Sequence, residues 1–299
     1  MDNLTHTLVG AALAEAGLKK RTALGTATLI IGANFPDFDV VAVPFGGGLD
    51  ARRGVTHGVL ALALLPFLLA GIMQIWDDRV RRRRSLDAPA ADFRQLLLLS
   101  AISIATHPTL DFMNTYGMRW LMPFVNKWFY ADGLFIIDIW VMIALVTGYV
   151  WSRRSRKTGP ARIALAAVAV YIVAMLTITG VGRARVAATF VVERFMVEPS
   201  PLVPWRRDIL VEEPSAYRFG TYSLFGEPLL TSVTIAKGDA GQAVAVAKRT
   251  PEAQRFLAWA RFPFYRVVRE GGHMVVRIAD ARYMADHARG WAAIEVRLP

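Results

Sequence analysis

The chain contains no cysteine. Disulfides are therefore excluded, and so are thiolate metal ligands. Any transition metal must be held by His, Asp, Glu, Asn or backbone groups, a donor set that suits zinc, manganese or magnesium. Charge is also sparse. Of 299 residues, 20% are charged and 54% are hydrophobic, and the mean hydropathy of +0.35 lies above the usual soluble balance. Acidic residues are the scarcer sign, which leaves a net charge of +11. The start of the chain lacks the signature of a cleavable signal peptide. Asp2 and His6 stand where a basic region belongs, and Lys19, Lys20 and Arg21 follow the first apolar stretch instead of preceding it. No internal repeat is visible.

The positive charge is concentrated in runs: Lys19, Lys20 and Arg21; Arg79 and Arg81 to Arg84; Arg153, Arg154, Arg156 and Lys157. In a soluble basic protein such runs would point to nucleic acid. Here each ends an apolar segment, so they read as cytoplasmic anchors, and nucleic acid is not an expected partner. The expected partners are the bilayer and a small-molecule or lipid substrate; the sequence sets no oligomeric state.

The expected fold is mainly α: a polytopic membrane helix bundle with a small C-terminal α+β extramembrane domain. Short helices are expected over 3–18 and 22–33, the second stopped by Asn34 and Pro36. Spans are expected over 57–76, 95–107, 133–151 and 161–181. A glycine-rich loop, Gly46 to Gly48, precedes the first span, and the aromatic-rich stretch 112–131 has the composition of a membrane interface. The membrane-embedded domain covers 1–182. Residues 183–299 differ: charges are interspersed, turn signals recur, and 231–236, 275–278 and 293–298 read as strands, with a short helix over 251–260.

Ionisable residues recur at one end of the apolar segments. His107-Pro-Thr-Leu-Asp111 places a histidine and an aspartate on one helix face, about 6 Å apart, where they can share a metal. The competing reading is a core histidine hydrogen-bonded to its neighbour. His6, Asp37, Asp39 and His57 recur likewise, and Asp138 opens an apolar run. An isolated carboxylate there would be neutralised, so Asp138 is expected to pair with a metal or with Arg119. Arg53, four residues before His57, could hold a phosphate or carboxylate, or could be an interfacial arginine. His273 and His287 read as ordinary surface residues. With the three basic runs in the cytoplasm, His6, Asp37, Asp39, His57, His107, Asp111 and Asp138 all fall near the outer face. The residues after 182 then lie outside.

These motifs carry a family resemblance. Met1-Asp-Asn-Leu-Thr-His6, then Pro36-Asp-Phe-Asp39, then Arg53-Gly-Val-Thr-His57, then His107-Pro-Thr-Leu-Asp111 with Tyr116-Gly117 downstream, then Leu134-Phe-Ile-Ile-Asp138, resembles the YdjM-like membrane-bound metal-dependent hydrolases. The match covers about residues 1 to 180. The metal site with His-x-x-x-Asp is more distantly similar to that of zinc-dependent phospholipases C. In the family a proline usually follows the last aspartate, where this chain has Ile139, and a tryptophan is usual where Gly133 stands.

The resemblance implies an inner-membrane protein and a metal-dependent hydrolase. The function expected is hydrolysis of an ester or phosphoester, lipid-derived or membrane-proximal, at the outer face of the inner membrane. The cofactor is one or two divalent metals, with zinc preferred over manganese or magnesium. His6, His57, His107, Asp111 and one or both of Asp37 and Asp39 would be ligands, whichever carboxylate does not ligate, or Asp138, would be the general base, and Arg53 a clamp on the anionic substrate. Two alternatives are a transporter or ion pathway through the His/Asp cluster, and a non-catalytic scaffold with a structural metal.

Overall fold

The computed structural model describes residues 1–45, 52–85, 87–283 and 291–298. The glycine run Gly46 to Gly48 and His287 lie outside the described residues. The chain divides into two compact units. One comprises Met1–Val41 and Arg53–Thr177, the other Ala42–Arg52 and Ile178–Pro299.

The first unit is helical. Helix α1 (Asn3–Glu15) starts at Asp2, whose carboxylate accepts from the Thr5 amide at 3.0 Å and the Thr5 hydroxyl at 2.6 Å. α2 (Gly25–Asn34) ends where expected, ahead of Pro36, and a 3-10 segment follows. α3 (Val59–Trp76) continues through one wide turn (Asp77–Arg81) into α4 (Arg82–Arg84). α5 (Phe93–Phe112) starts at Asp92, which accepts from the Gln95 amide. It runs five residues beyond the expected end, through Pro108. Hydroxyls bind the carbonyls of that turn, Thr106 to Ser103 O and Thr109 to Ala105 O, a compensation that lets a helix carry a proline.

α6 (Ile139–Ser155) starts six residues later than expected. Residues 113–138 are largely irregular, tied by single bridges between Asn114 and Leu134 and between Met118 and Phe129. α7 (Gly159–Thr189) is the longest helix. Among the described residues only two stretches, Val59–Arg84 and Gly159–Thr189, are long and apolar enough to cross a membrane. The four expected spans thus reduce to two candidates. α5 is diluted by Ser100, Ser103 and Thr106, and α6 is only 17 residues long. On the candidate spans, large apolar side chains face outward: Leu64 and Phe67 on α3 and Ile163 and Val170 on α7 are more than half exposed. Water would not favour such faces, whereas lipid would.

Two close crossings fix the helices that carry the site. A Cβ on Gly10 would run into the Leu29 carbonyl and the Ile30 Cα, which are backbone of α2. A Cβ on Gly32 would collide with the Ser103 hydroxyl of α5. Side-chain packing then fills the space between: Ala14, Leu29 and Leu99 join α1, α2 and α5, while Leu65, Leu69, Leu96 and Ile104 join α3 to α5.

The second unit holds two antiparallel sheets. One is β1 (Phe195–Pro199), β2 (Arg206–Glu212), β3 (Ala216–Ser223) and β4 (Leu229–Ala236) in sequential order. The other is β5 (Pro263–Glu270), β6 (His273–Asp280) and β7 (Ala293–Leu298). Two helices lie between them in sequence, α8 (Gln242–Ala247) and α9 (Pro251–Trp259). The expected strands 231–236, 275–278 and 293–298 fall inside β4, β6 and β7, and the expected helix is α9. The β5–β6 hairpin turns at Gly271 and Gly272, with φ of +59° and +83°, the paired left-handed conformation that suits a two-residue loop. The two sheets share a core of Met196, Leu210, Tyr217, Phe262, Phe264 and Ala279, and Val186 of α7 packs on Val197, Ile209 and Tyr222.

Candidate metal centre

Three segments of the first unit bring four residues to one buried point. His107 and Asp111 lie one turn apart near the C-terminal end of α5. His57 ends the 3-10 turn before α3, and Asp37 stands in the segment after α2. One ligand atom from each of these four residues lies within 4.8 Å of every other. His57 Nε2 is 3.1 Å from His107 Nε2. Both nitrogens are 3.6 Å from Asp37 Oδ1 and 3.5 Å from Asp111 Oδ2. A tetrahedral ion with bonds of about 2.0 to 2.1 Å would separate its ligand atoms by about 3.3 Å. These spacings fit it.

The far side of each ring sets its tautomer. His107 Nδ1 is 2.7 Å from the Ala33 carbonyl, which only accepts, so Nδ1 carries the proton. His57 Nδ1 faces the Asp39 carboxylate at 3.5 Å and the Thr56 hydroxyl at 2.9 Å. With protons on both Nδ1 atoms, two Nε2 lone pairs face each other and two carboxylates. That arrangement is repulsive until a cation enters it. A backbone carbonyl or carboxylate behind a metal-binding histidine is the usual orienting partner.

Burial pushes the Asp37 carboxyl pKa up, but the His107 and His57 rings hold it well below the ordinary carboxylate range as long as they present a proton to it; with both Nε2 atoms bare, a metal cation would take that place. Asp37 is also the most exposed of the four, at 8%, while His57 and His107 are fully buried.

The other expected site residues are placed differently. Asp39 is not among the four converging residues. Its Oδ2 accepts from the Arg53 amide at 2.8 Å and the Thr56 hydroxyl at 3.3 Å, behind His57. His6 also stands outside the four. Its ring stacks on His107 at 3.8 Å, and its Nε2 is 3.3 Å from Asp111 Oδ1. Its Nδ1 is buried with no hydrogen-bond partner. Arg53 is committed within the protein: Nε pairs with Asp111 Oδ2 at 2.9 Å, one terminal nitrogen donates to Asn114 Oδ1 and Gly117 O, and the guanidinium lies over the Tyr116 ring.

Asp138 caps α6, accepting from the Trp140 and Val141 amides and from the Tyr171 hydroxyl. Arg119, its expected partner, donates to Asn126 and lies over Trp128. His273, expected on the surface, is exposed at the β5–β6 turn.

Several partners were not legible in advance. Thr56 directly precedes His57, and Asn114 lies in the stretch after Asp111, so proximity to motif residues is their only sequence signal. The Met1 amino group sits on Asp111 Oδ1. Nothing in the sequence flags Tyr171 or the Ala33 carbonyl.

No curated protein and no solved structure matches the chain. Across residues 1–186, which include every residue of the cluster, the sequence matches the family model described as YdjM inner membrane protein, and the chain belongs to that family.

Proposed function

We propose that this protein is a membrane-bound metal-dependent hydrolase of an ester or phosphoester, lipid-derived or membrane-proximal, working at the outer face of the inner membrane. The observation that carries the reading is the convergence of two imidazole lone pairs and two carboxylates, all buried, at the spacing of one divalent ion. Such an ion supplies an acidified water and polarises the ester oxygen. Zinc suits the donor set, and manganese or magnesium would accept it.

The chain's own residues divide the remaining work. Asp39 and the Ala33 carbonyl hold the rings of His57 and His107 in the ligating tautomer. Arg53 fixes Asp111 and does not reach for substrate. With its Nε2–H directed to Asp111, His6 keeps a lone pair on Nδ1, and although burial lowers its pKa to about 4 it is the neutral imidazole beside the cluster to which we assign the proton of the attacking water. Asp138, engaged as a helix cap, drops out of that role. Asp37, at the more exposed edge, marks the side from which substrate enters.

The test is turnover of a chromogenic phosphodiester and a chromogenic carboxyl ester in mixed micelles by detergent-purified, zinc- or manganese-loaded protein. Metal-dependent release of product that His6→Gln abolishes while bound metal persists supports the reading. A stoichiometric metal without any turnover defeats it.

One observation favours a second reading. Four protein atoms at tetrahedral spacing can close a structural site, with no position left for water. Water-proton relaxation of the manganese-loaded protein separates the two. A catalytic site exchanges water at the ion, and a closed one does not.

A further inference from the structure

A second site lies at the other end of α1. A cavity of about 420 Å³ opens between the end of α1 and the α6–α7 turn. Lys19, Lys20, Arg153, Arg156 and Lys157 line it, and Glu15 is its one acidic lining residue. Glu15 is already shared, by Lys19 and by Arg153 at 3.5 Å. Among the described residues no carboxylate pairs with Lys20, Arg156 or Lys157. Five cations against one carboxylate leave an excess of four positive charges in a concave space.

Two further observations say what this space is for. Arg156 ends α6 in the left-handed conformation, with φ of +57°. Glycine is the usual residue there because a side chain is strained, so the chain carries an arginine where the backbone would prefer none. The cavity also touches Thr158, the residue before α7, so it sits at the end of a candidate membrane span. That is the level of lipid headgroups. Trp151, next in sequence to the lining residue Ser152, and Ile163, in the first turns of α7, are exposed by 62% and 70%, an aromatic and an apolar side chain of the kind that meet lipid at an interface.

We propose that this basic cavity binds the phosphate group of an acidic phospholipid headgroup. The volume accommodates a glycerol phosphate. Basic pockets at the ends of membrane helices select anionic headgroups through short-range charge attraction and hydrogen bonds. The inference does not depend on the metal centre or on hydrolysis.

The test uses the full chain in detergent, with native mass spectrometry or a fluorescence titration reading the binding of phosphatidylglycerol, phosphatidylcholine and inorganic phosphate. The first variant is Arg156→Gly, which removes a charge and relieves the backbone, so lost binding cannot be lost folding. It should melt no lower than the wild type and bind phosphatidylglycerol about fivefold more weakly; adding Lys157→Gln should bring the loss to about thirtyfold. Arg82→Gln with Arg84→Gln removes as much charge outside the cavity and should leave binding unchanged. Equal binding by wild type and the Arg156→Gly/Lys157→Gln variant overturns the proposal. So does an equal loss in the Arg82/Arg84 control, which would mean diffuse attraction. Saturable binding of inorganic phosphate where phosphatidylglycerol shows none would also overturn it, assigning the cavity to a soluble phosphate.

Discussion

His57 and His107, fifty residues apart, point their Nε2 atoms at each other across 3.1 Å in the protein interior. Each ring is held from behind, His107 by the Ala33 carbonyl and His57 by Asp39 and Thr56. Two neutral rings so held would repel, and the Asp37 and Asp111 carboxylates face the same lone pairs at 3.5 to 3.6 Å. A divalent ion resolves both problems, and Asp37 and Asp111 balance its charge.

Metal content should therefore follow these four residues. His57→Ala and His107→Ala should each remove most bound zinc or manganese, measured by elemental analysis of detergent-purified protein. Asp111→Asn keeps the shape, removes the charge and should lose metal as well. His273→Ala should lose none. Histidine ligands must be neutral, so metal should be retained at pH 7 and released as pH falls through about 6.5 and below. Retention of metal in His107→Ala would remove the centre.

Asp39 gives a graded test. Acting behind His57, it should tune affinity without being essential to it. Asp39→Asn should weaken metal binding by about 10- to 100-fold, read by competition with a chelating dye. A complete loss, equal to that of His107→Ala, would instead make Asp39 a direct ligand.

How much of this centre could be read from the sequence follows from how each residue acts. The four converging residues were legible because a costly polar group in an apolar setting stands out, and because His107 and Asp111 share a helix face. The roles of Asp39, Arg53 and Asp138 were not legible. Ligand, orienting partner, charge partner and helix cap all draw on the same residue types, and only packing assigns them. Asp138 did carry a signal: an aspartate directly before an apolar run is a helix cap by default. The fold divides similarly. β4, β6 and β7 have short β-rich runs that stood out, whereas β2 opens on Arg206 and Arg207, whose charge hides a strand in which Arg207 is fully buried.

The crossing at Gly32 should be sensitive to one methyl group. Gly32→Ala drives a Cβ into the Ser103 hydroxyl and forces α2 from α5. A cost of about 1 to 3 kcal/mol is expected from such overpacking. Because Ala33 and Asp37 follow directly, metal affinity should fall too. Gly180→Ala, in α7 with open space around the new Cβ, should not destabilise. Thermal melts in detergent compare the two, and equal melting would show that the α2–α5 contact is looser than described.

Alkaline pH should weaken the sheet unit. Burial pushes the Tyr265 hydroxyl up to about 12 and raises that of Tyr217 as well. Tyr217 also donates to the Pro263 carbonyl at 2.9 Å, tying one sheet to the other. A raised folded-state value gives stability that is complete below the unfolded value of about 10 and is lost as pH climbs through the folded value. Near-ultraviolet circular dichroism should accordingly report loss of this unit's stability from about pH 10 upward. Tyr217→Phe should cost about 1 kcal/mol at neutral pH and should reduce the alkaline decline. An undiminished decline would assign it to other groups.

Topology supplies the last test, and the helix ends define it. His6, Asp37, His57 and His107 occupy the N-terminal end of α1, the segment after α2, the turn before α3 and the C-terminal part of α5. Lys19 and Lys20, Arg82 to Arg84, and Arg153 to Lys157 lie toward the opposite ends of α1, α3 and α6. Arg21 donates to Gln95 at the start of α5, in keeping with that separation. Basic residues near span ends stay in the cytoplasm, so the metal centre should face outward, and the sheet unit should be extracytoplasmic. The chain has no cysteine, so single cysteines can be placed freely. A membrane-impermeant thiol reagent applied to intact cells should label Ser215→Cys, between β2 and β3, and miss Ser85→Cys, after the arginine run. Permeabilised cells should label both. The reverse pattern would turn the molecule over and move the metal centre to the cytoplasmic face, where a lipid substrate would have to come from the inner leaflet.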